Sequence, residues 1–230
     1  MTKEVTEDVL VEAMLRYRIG FQSAAGRAGG VIRWLGQHTY IWSLKTVKGG
    51  GSFKNEYWVG VCAGLAMEWM KAKRKKEDLV GKFLGARKEA FTKEGDKPAS
   101  QAFTAQISFA HAQQGEKTEF LQNEFRETGE KKFDYPYSNF GAALKKKRFY
   151  YVSSATKGQA GGHATAIYVN SKGKVDFYDP NIAEITGTSP SFFDTYLQDV
   201  IDGTAAAIDH SNKADFTSKK KWTATEYQAL

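Results

Sequence analysis

The chain has almost no cysteine, since Cys62 is the only one among its 230 residues. One thiol cannot form a disulfide within the chain, which excludes the disulfide-stapled scaffolds of small secreted proteins. The same scarcity excludes a zinc site built from several cysteines. We therefore expect a protein that is made in a reducing cytosol, with any export following its synthesis there.

The sequence also lacks long apolar stretches and the features of a conventional leader. No apolar run approaches the roughly 20 residues that a membrane-spanning helix needs. Residues 1–8 contain no basic region followed by an apolar segment, and Thr2 stands where N-myristoylation would need glycine. We therefore expect no transmembrane segment and no Sec-type signal, so that any secretion would use another route.

Several catalytic and binding motifs are absent. The sequence contains no H-E-x-x-H, G-x-S-x-G or G-x-G-x-x-G, no zinc-finger spacing and no RNP-type aromatic motif. His38, His111 and His210 stand in unrelated contexts without metal-ligand spacing, so we interpret them as structural or surface residues. The sequence thus predicts no metal, no cofactor and no specific nucleic-acid partner.

What the chain does have is a globular composition with an excess of positive charge. Hydrophobic residues make up 41% and aromatic residues 13% of the chain, enough for one large core. We expect a single domain over residues 1–230, with residues 1–45 as a helical extension packed on it.

The net charge is +7, and much of it lies in basic runs at 71–76, 145–148 and 219–221. Such runs are usually solvated faces; their alternative role is weak binding to an acidic partner or an anionic surface.

The first half of the chain carries helical periodicity. Thr6 can cap a first helix, Cys62 to about Lys76 forms another, and residues 77–91 form a third. A further helix is predicted from Pro98, because proline suits the first helical position. Residues 127–141 are rich in charge, glycine and proline, and they are predicted to form a loop.

The second half changes to the alternating period of β-strands. The pattern predicts strands over 149–153, 163–169 and 175–179. A helix over 192–201 and a late strand over 205–209 are predicted to follow. Helices followed by an antiparallel sheet indicate the α+β fold class.

Cys62 stands where a glycine-containing loop runs into a helical segment. Free backbone N–H groups and the macrodipole at a helix N-terminus stabilise negative charge, so a thiolate is favoured there. A lone cysteine is more often a small buried hydrophobe than a nucleophile. The order of Cys62, His163 and Asp179 along the chain nevertheless matches the nucleophile, base and orienting acid of a papain-like site.

The two strands that carry His163 and Asp179 allow a geometric check of that match. If residues 170–172 form a three-residue loop and Gly173 is left-handed, His163 lies directly opposite Asp179. Directly opposed residues point to the same face of a sheet. A two-residue loop would shift the register by one and turn Asp179 to the other face. The pairing of base and acid therefore depends on this turn.

Each candidate residue has a chemical role in such a site. His163 takes the thiol proton, Asp179 holds the ring, and the backbone N–H of Cys62 provides one oxyanion donor. Asn55 is the upstream side-chain amide that could provide a second donor, although most loop asparagines only make turns. Gly162, with the glycine before it, lets a substrate backbone approach closely or is an ordinary loop glycine.

At these residues the chain resembles the YopT/AvrPphB family of cysteine proteases, the C58 group of bacterial effectors. The resemblance rests on three blocks, which are Gly60–Leu65 followed by Trp69, Gly161–Ala164, and Tyr178–Asn181 ending near Glu184. By position it implies Cys62 as nucleophile, His163 as general base and Asp179 as orienting acid. It also implies a papain-like fold, in which a helical part carrying the nucleophile packs on an antiparallel sheet.

The resemblance further implies a toxin or effector with cysteine endopeptidase activity. Such a protein is made in the bacterial cytoplasm, is delivered into a target cell by a specialised secretion system, and cleaves specific cytosolic proteins through a thioester acyl-enzyme. A eukaryotic host and a rival bacterium both fit as the target, and a rival implies a cognate immunity protein. Two alternatives stay open: a deamidase, transglutaminase or amidase of the same fold, and a non-catalytic basic binding module.

Overall fold

A computed structural model describes residues 7–35, 62–90, 121–133, 139–156, 162–197 and 220–230. Within these ranges seven strands form one sheet, with bounds Val31–Trp34 (β1), Phe125–Phe133 (β2), Arg148–Thr156 (β3), Gly162–Val169 (β4), Val175–Asp179 (β5), Ala183–Thr188 (β6) and Lys220–Ala229 (β7). Neighbouring strands pair antiparallel in the order β1-β6-β5-β4-β3-β7-β2.

The helices cover both faces of this sheet. They are Glu7–Ala28 (α1), Cys62–Arg74 (α2) and Leu79–Ala90 (α3), with 3₁₀ turns at Gly141–Ala143 and Pro190–Phe192. α1 and residues 190–197 enclose one apolar cluster against one face, whereas α2 and α3 enclose a second against the other. None of the helices in the described residues is long and apolar enough to span a membrane.

The sequence of α2 explains why the helix forms and where it ends. Its apolar side chains face the sheet, and Leu65, Ala66 and Trp69 are all buried. Its last turn is basic, which complements the negative end of the helix dipole. The backbone N–H of Glu77 then donates to the carbonyl of Ala72 at 2.9 Å, closing the helix in a Schellman-type turn.

Aromatic rings fill the cluster beneath α1. The ring of Phe21 on α1 meets the rings of Phe177 on β5 and Phe192 and Tyr196 in the following segment, with centroids 5.2 to 6.1 Å apart. All four side chains are buried. This packing joins α1 to the segment that follows β6, and it brings Tyr196 under the sheet.

The structure confirms the α+β class and most of the predicted elements. The helix from Cys62, the helix within 77–91 and the strands over 149–153, 163–169 and 175–179 are all present. The helix predicted over 192–201 is helical at 193–197, the part that is described. Thr6, the helix from Pro98 and the strand near 205–209 lie outside the described residues.

The loop predicted over 127–141 is wrong for its first part. Residues 125–133 form β2, an edge strand that pairs with β7 and leaves most of its side chains exposed. An edge strand needs a partner on one side only, and charged residues on it discourage further pairing. A polar composition is therefore typical of a solvated edge strand as well as of a loop.

Truncating the ring at the centre of the aromatic cluster should destabilise the fold. We expect Phe177→Ala to lower the free energy of unfolding by about 3–5 kcal/mol, because a large buried side chain leaves a cavity. Urea unfolding measures this loss. The control is Ile19→Ala on α1, where the side chain is 68% exposed, and a change within about 0.5 kcal/mol is expected. Equal losses for the two variants would contradict this account of the core.

Candidate active site

Cys62 is the first residue of α2, and its side chain is buried, with 6% of its surface exposed. The helix packs mainly on β4, and also contacts β3 and β5. The indole Nε1 of Trp69 donates a hydrogen bond of 2.8 Å to Glu184 on β6, which ties the helix to the sheet. Glu184 also accepts from Arg33 Nε at 2.8 Å, so this buried carboxylate is paired. These contacts position the N-terminus of α2 at one end of the sheet.

His163 lies near the beginning of β4 and Asp179 at the end of β5, so both reach the same end of the sheet as Cys62. The connecting loop is longer than predicted: Val169 pairs with Val175, which leaves the five residues 170–174 in the turn. Gly173 does have the predicted left-handed conformation, with φ of 80°. The three-residue loop is therefore wrong, and the register differs by two.

A shift of two residues preserves the face to which side chains point, because the side-chain period of a strand is two. His163 and Asp179 consequently share a face, as predicted, but they meet diagonally and not as a directly opposed pair. Their side chains are in contact, with His163 Nε2 and Asp179 Oδ1 separated by 2.8 Å. The other predicted member of the group also lies beside the ring, since His163 lowers the pKa of the Cys62 thiol.

Asp179 has further partners that sequence reasoning missed. The backbone N–H of Asn181 donates to Oδ1 at 2.8 Å, and the hydroxyl of Tyr196 donates to Oδ2. Asp179 is 1% exposed and Tyr196 is fully buried. Tyr196 occupies the helical turn after the 3₁₀ segment, so its aromatic neighbours at helical spacing indicate a core position but not a contact with Asp179.

Asn181 also contacts the histidine ring directly. Its side-chain Nδ2 lies 3.2 Å from His163 Nδ1, the ring nitrogen that does not face Asp179. An amide can donate to a neutral ring nitrogen or, after turning its oxygen, accept from a protonated one. Because Nε2 faces Asp179, Nδ1 is also the ring nitrogen left for the Cys62 thiol, so Asn181 and Cys62 lie at the same nitrogen.

The buried groups shift one another's pKa values. Burial raises the pKa of the Cys62 thiol, but the hydrogen bond and the charge of His163 outweigh it, so this pKa lies below its ordinary value. A hydrogen bond with the Ala164 backbone contributes in the same direction. Burial lowers the pKa of His163, whereas the charge of Asp179 and their hydrogen bond raise it, to about 10.

Asp179 itself stays ionised. Burial raises the pKa of this carboxyl, but attraction to His163 and hydrogen bonds from His163, Tyr196 and the Asn181 backbone lower it below its ordinary value. The arrangement therefore favours a thiolate beside an imidazolium, and the imidazolium in turn contacts a carboxylate. Such a group can perform nucleophilic attack on a carbonyl carbon and can transfer a proton to a leaving group.

The two remaining candidates are not brought into this cluster. Asn55 lies outside the described residues, and its role as an oxyanion donor stays a prediction. Gly162 begins β4 and pairs with Ala155, directly before His163, and its role in substrate approach also stays a prediction. Across the described ranges, no three His, Cys, Asp or Glu side chains are grouped as metal ligands.

Comparisons with known proteins bear on this geometry. The chain resembles the solved structure of the Pseudomonas avirulence protein AvrPphB with 17% identity and a TM-score of 0.36, over 74% of this chain and 92% of that one. No curated protein matches the sequence. Residues 15–221 match the family Peptidase C58, described as Yersinia/Haemophilus virulence surface antigen. Because this match covers far more than half of the chain, the protein belongs to the peptidase C58 family.

Proposed function

We propose that this protein is a cysteine endopeptidase in which Cys62 is the nucleophile, His163 the general base and acid, and Asp179 the orienting acid. The observation that carries the proposal is the position of the His163 ring, which contacts the Asp179 carboxylate and lies close enough to Cys62 to lower the pKa of its thiol. A cysteine that serves only as a buried hydrophobe does not require a neighbouring histidine whose other ring nitrogen is held by a buried carboxylate.

The reaction follows from these contacts. The Cys62 sulfur attacks the carbonyl carbon of the scissile peptide bond, and the protonated His163 ring gives its proton to the departing amine. A water molecule then attacks the thioester, His163 accepts the proton of that water, and the Cys62 thiolate leaves. Asp179 keeps the ring oriented and stabilises its charge through both halves of the reaction. The backbone N–H of Cys62 is the proposed oxyanion donor.

Family membership supports a role as a virulence effector. We infer that the protein is made in a bacterial cytoplasm and is delivered by a specialised secretion system into a target cell, where it cleaves specific cytosolic proteins. If the target is a rival bacterium, a cognate immunity protein would cover the cleft that contains Cys62. The proposed substrates are therefore proteins.

Removal of the nucleophile tests the activity directly. In susceptible cells, expression of wild type should create new protein N-termini, and Cys62→Ala should create none while its thermal midpoint stays near that of wild type. Proteomic enrichment of N-termini measures the difference, and the intact mass of a recovered target identifies the reaction. New N-termini in the Cys62→Ala sample would sink the proposal. A target whose mass changes without cleavage would favour a deamidase or transglutaminase instead.

Thiol reactivity tests the ion pair without a known substrate. Because the pKa of Cys62 is lowered, alkylation of the native protein by iodoacetamide should begin at a lower pH than alkylation of an ordinary thiol. His163→Ala removes the positive charge that stabilises the thiolate, whereas burial still raises the pKa of Cys62. Alkylation of Cys62 in this variant should therefore shift to alkaline pH. Cys62 is the only cysteine, so intact mass reports this thiol alone. The urea-unfolded protein provides the reference profile, and a native profile equal to it would contradict the ion pair.

The hydroxyl of Tyr196 should matter through Asp179. Tyr196→Phe keeps the ring but removes one donor to a buried carboxylate, so we expect a loss of about 1.5–3 kcal/mol in the free energy of unfolding. The lowered pKa of Asp179 contributes stability above the unfolded value of about 3.9, and this stability disappears as the pH falls through the folded value. Losing a donor raises the folded pKa, so acid unfolding should begin at a higher pH.

Tyr178→Phe is the matched control for that variant. Tyr178 is equally buried, but its hydroxyl has no hydrogen-bond partner in the described part of the chain. Removing it should change the free energy of unfolding by no more than about 0.5 kcal/mol, or stabilise the protein, and it should leave the acid midpoint unchanged. Equal acid midpoints for the Tyr178 and Tyr196 variants would show that the Tyr196 hydroxyl does not hold Asp179.

A further inference from the structure

The end of the sheet opposite the proposed catalytic triad of Cys62, His163 and Asp179 carries a dense group of basic residues. It is formed by residues 71–76 at the end of α2, residues 145–148 before and within β3, and residues 170–174 between β4 and β5. These three segments, here called the basic pole, contain eleven lysines and arginines. α2 begins at Cys62 and ends at Arg74, so the pole lies about 18 Å along the helix from the thiol.

The three segments form one continuous surface. Lys73 makes an ion pair of 2.8 Å with Asp176, which joins the end of α2 to the start of β5. The side chain of Lys146 packs against Gly173, with its Cε 3.3 Å from the point where a Cβ on that glycine would stand. The pole therefore includes the end of the helix and the strand turns beside it.

Carboxylates neutralise only part of this surface. Glu124 pairs with Lys71, Arg74 and Lys75. Glu226 pairs with Lys145 and Arg148, and Asp176 pairs with Lys73. The other five lysines of the pole make no ion pair within the described residues; they are Lys76, Lys146, Lys147, Lys172 and Lys174. Exposed Glu77 and Asp78 directly follow Lys76, but the eleven cations still outnumber the carboxylates at this end, so the pole has a net positive charge.

Two of these five lysines have a backbone conformation that favours glycine. Lys76 has a φ of 60° and Lys147 a φ of 57°, and no other non-glycine residue in the described ranges has a positive φ. Lys76 ends α2 at the position that glycine usually occupies in a Schellman turn. A left-handed lysine is strained relative to glycine. The fold thus keeps an exposed positive charge at two positions where glycine would be less strained.

We propose that the basic pole docks the protein on an anionic phospholipid surface, with the triad at the opposite end free to meet its substrate. The five unpaired residues are all lysines, which act as point charges and lack the bidentate geometry that selects one phosphate or carboxylate. They are distributed over three separate segments at this end of the sheet, as suits a broad layer of negative headgroups.

Other features of the pole favour lipid over nucleic acid. Single-stranded nucleic acids bind basic grooves through exposed aromatic rings, whereas the exposed large apolar side chains of the described residues are Ile19, Val31 and Leu230. Leu230 lies at the pole, because its carbonyl accepts a hydrogen bond of 2.9 Å from Arg74. An apolar side chain among lysines is suited to the boundary between headgroups and acyl chains.

The left-handed lysines allow a test in which lost binding cannot reflect lost folding. In Lys76→Gly/Lys147→Gly, two charges disappear while strain is relieved, so the thermal midpoint should rise by roughly 2–4 °C. Binding of the full chain to phosphatidylcholine vesicles with about one-third phosphatidylserine should weaken by on the order of 20-fold. Co-sedimentation at near-physiological salt measures this, and phosphatidylcholine vesicles alone should bind neither protein.

Lys131→Ala/Lys132→Ala is the charge-matched control, because both lysines are exposed on β2, away from the pole. This variant should keep most of the vesicle binding, and iodoacetamide alkylation of Cys62 should be unchanged in both variants. Equal weakening in the two double variants would overturn a localised docking surface. Absence of wild-type binding to the anionic vesicles would also overturn the proposal. Pole-dependent binding to polyuridylate or polyglutamate without vesicle binding would assign the pole to another polyanion.

Discussion

The geometry of the site depends on one buried charge, the carboxylate of Asp179. A buried carboxylate is costly unless it is paired and hydrogen-bonded, and its position is therefore decided by the groups that can satisfy it. His163 and the Asn181 backbone bind one oxygen and Tyr196 binds the other. With both oxygens engaged, the carboxylate has a single arrangement, and the imidazole that contacts it is held in turn. The raised pKa of His163 and the lowered pKa of Cys62 follow from this arrangement.

The triad joins the two sides of the sheet. Tyr196 belongs to the aromatic cluster beneath α1, whereas Cys62 belongs to the cluster beneath α2, on the other face. A second buried carboxylate, Glu184, ties α2 to β6 through Trp69. Cys62 and Asp179 are thus anchored by separate packing layers that meet at the end of the sheet. Core packing on both faces consequently sets the distance between them.

The sequence predicted the contact between His163 and Asp179 although it did not predict every strand. Strand alternation was enough to place these two side chains on one face, although the turn between them is two residues longer than predicted. This error in the turn did not affect the predicted face, because a register shift of two residues leaves each side chain on the same face of the sheet. Alternation did not identify β2, since a charged edge strand and a polar loop have similar compositions.

By itself the sequence determined the elements that carry the three chemical groups, because helix and strand periodicities and the helix start at Cys62 are local properties. Only the tertiary structure decided which groups meet. The hydroxyl of Tyr196 reaches Asp179 from a segment 17 residues away in the chain, and Trp69 reaches Glu184 across 115. Such contacts arise from the packing of helices on opposite faces of the sheet, and no local pattern encodes them. The same is true of the basic pole, where three separate charged segments form one surface only because the strands end together.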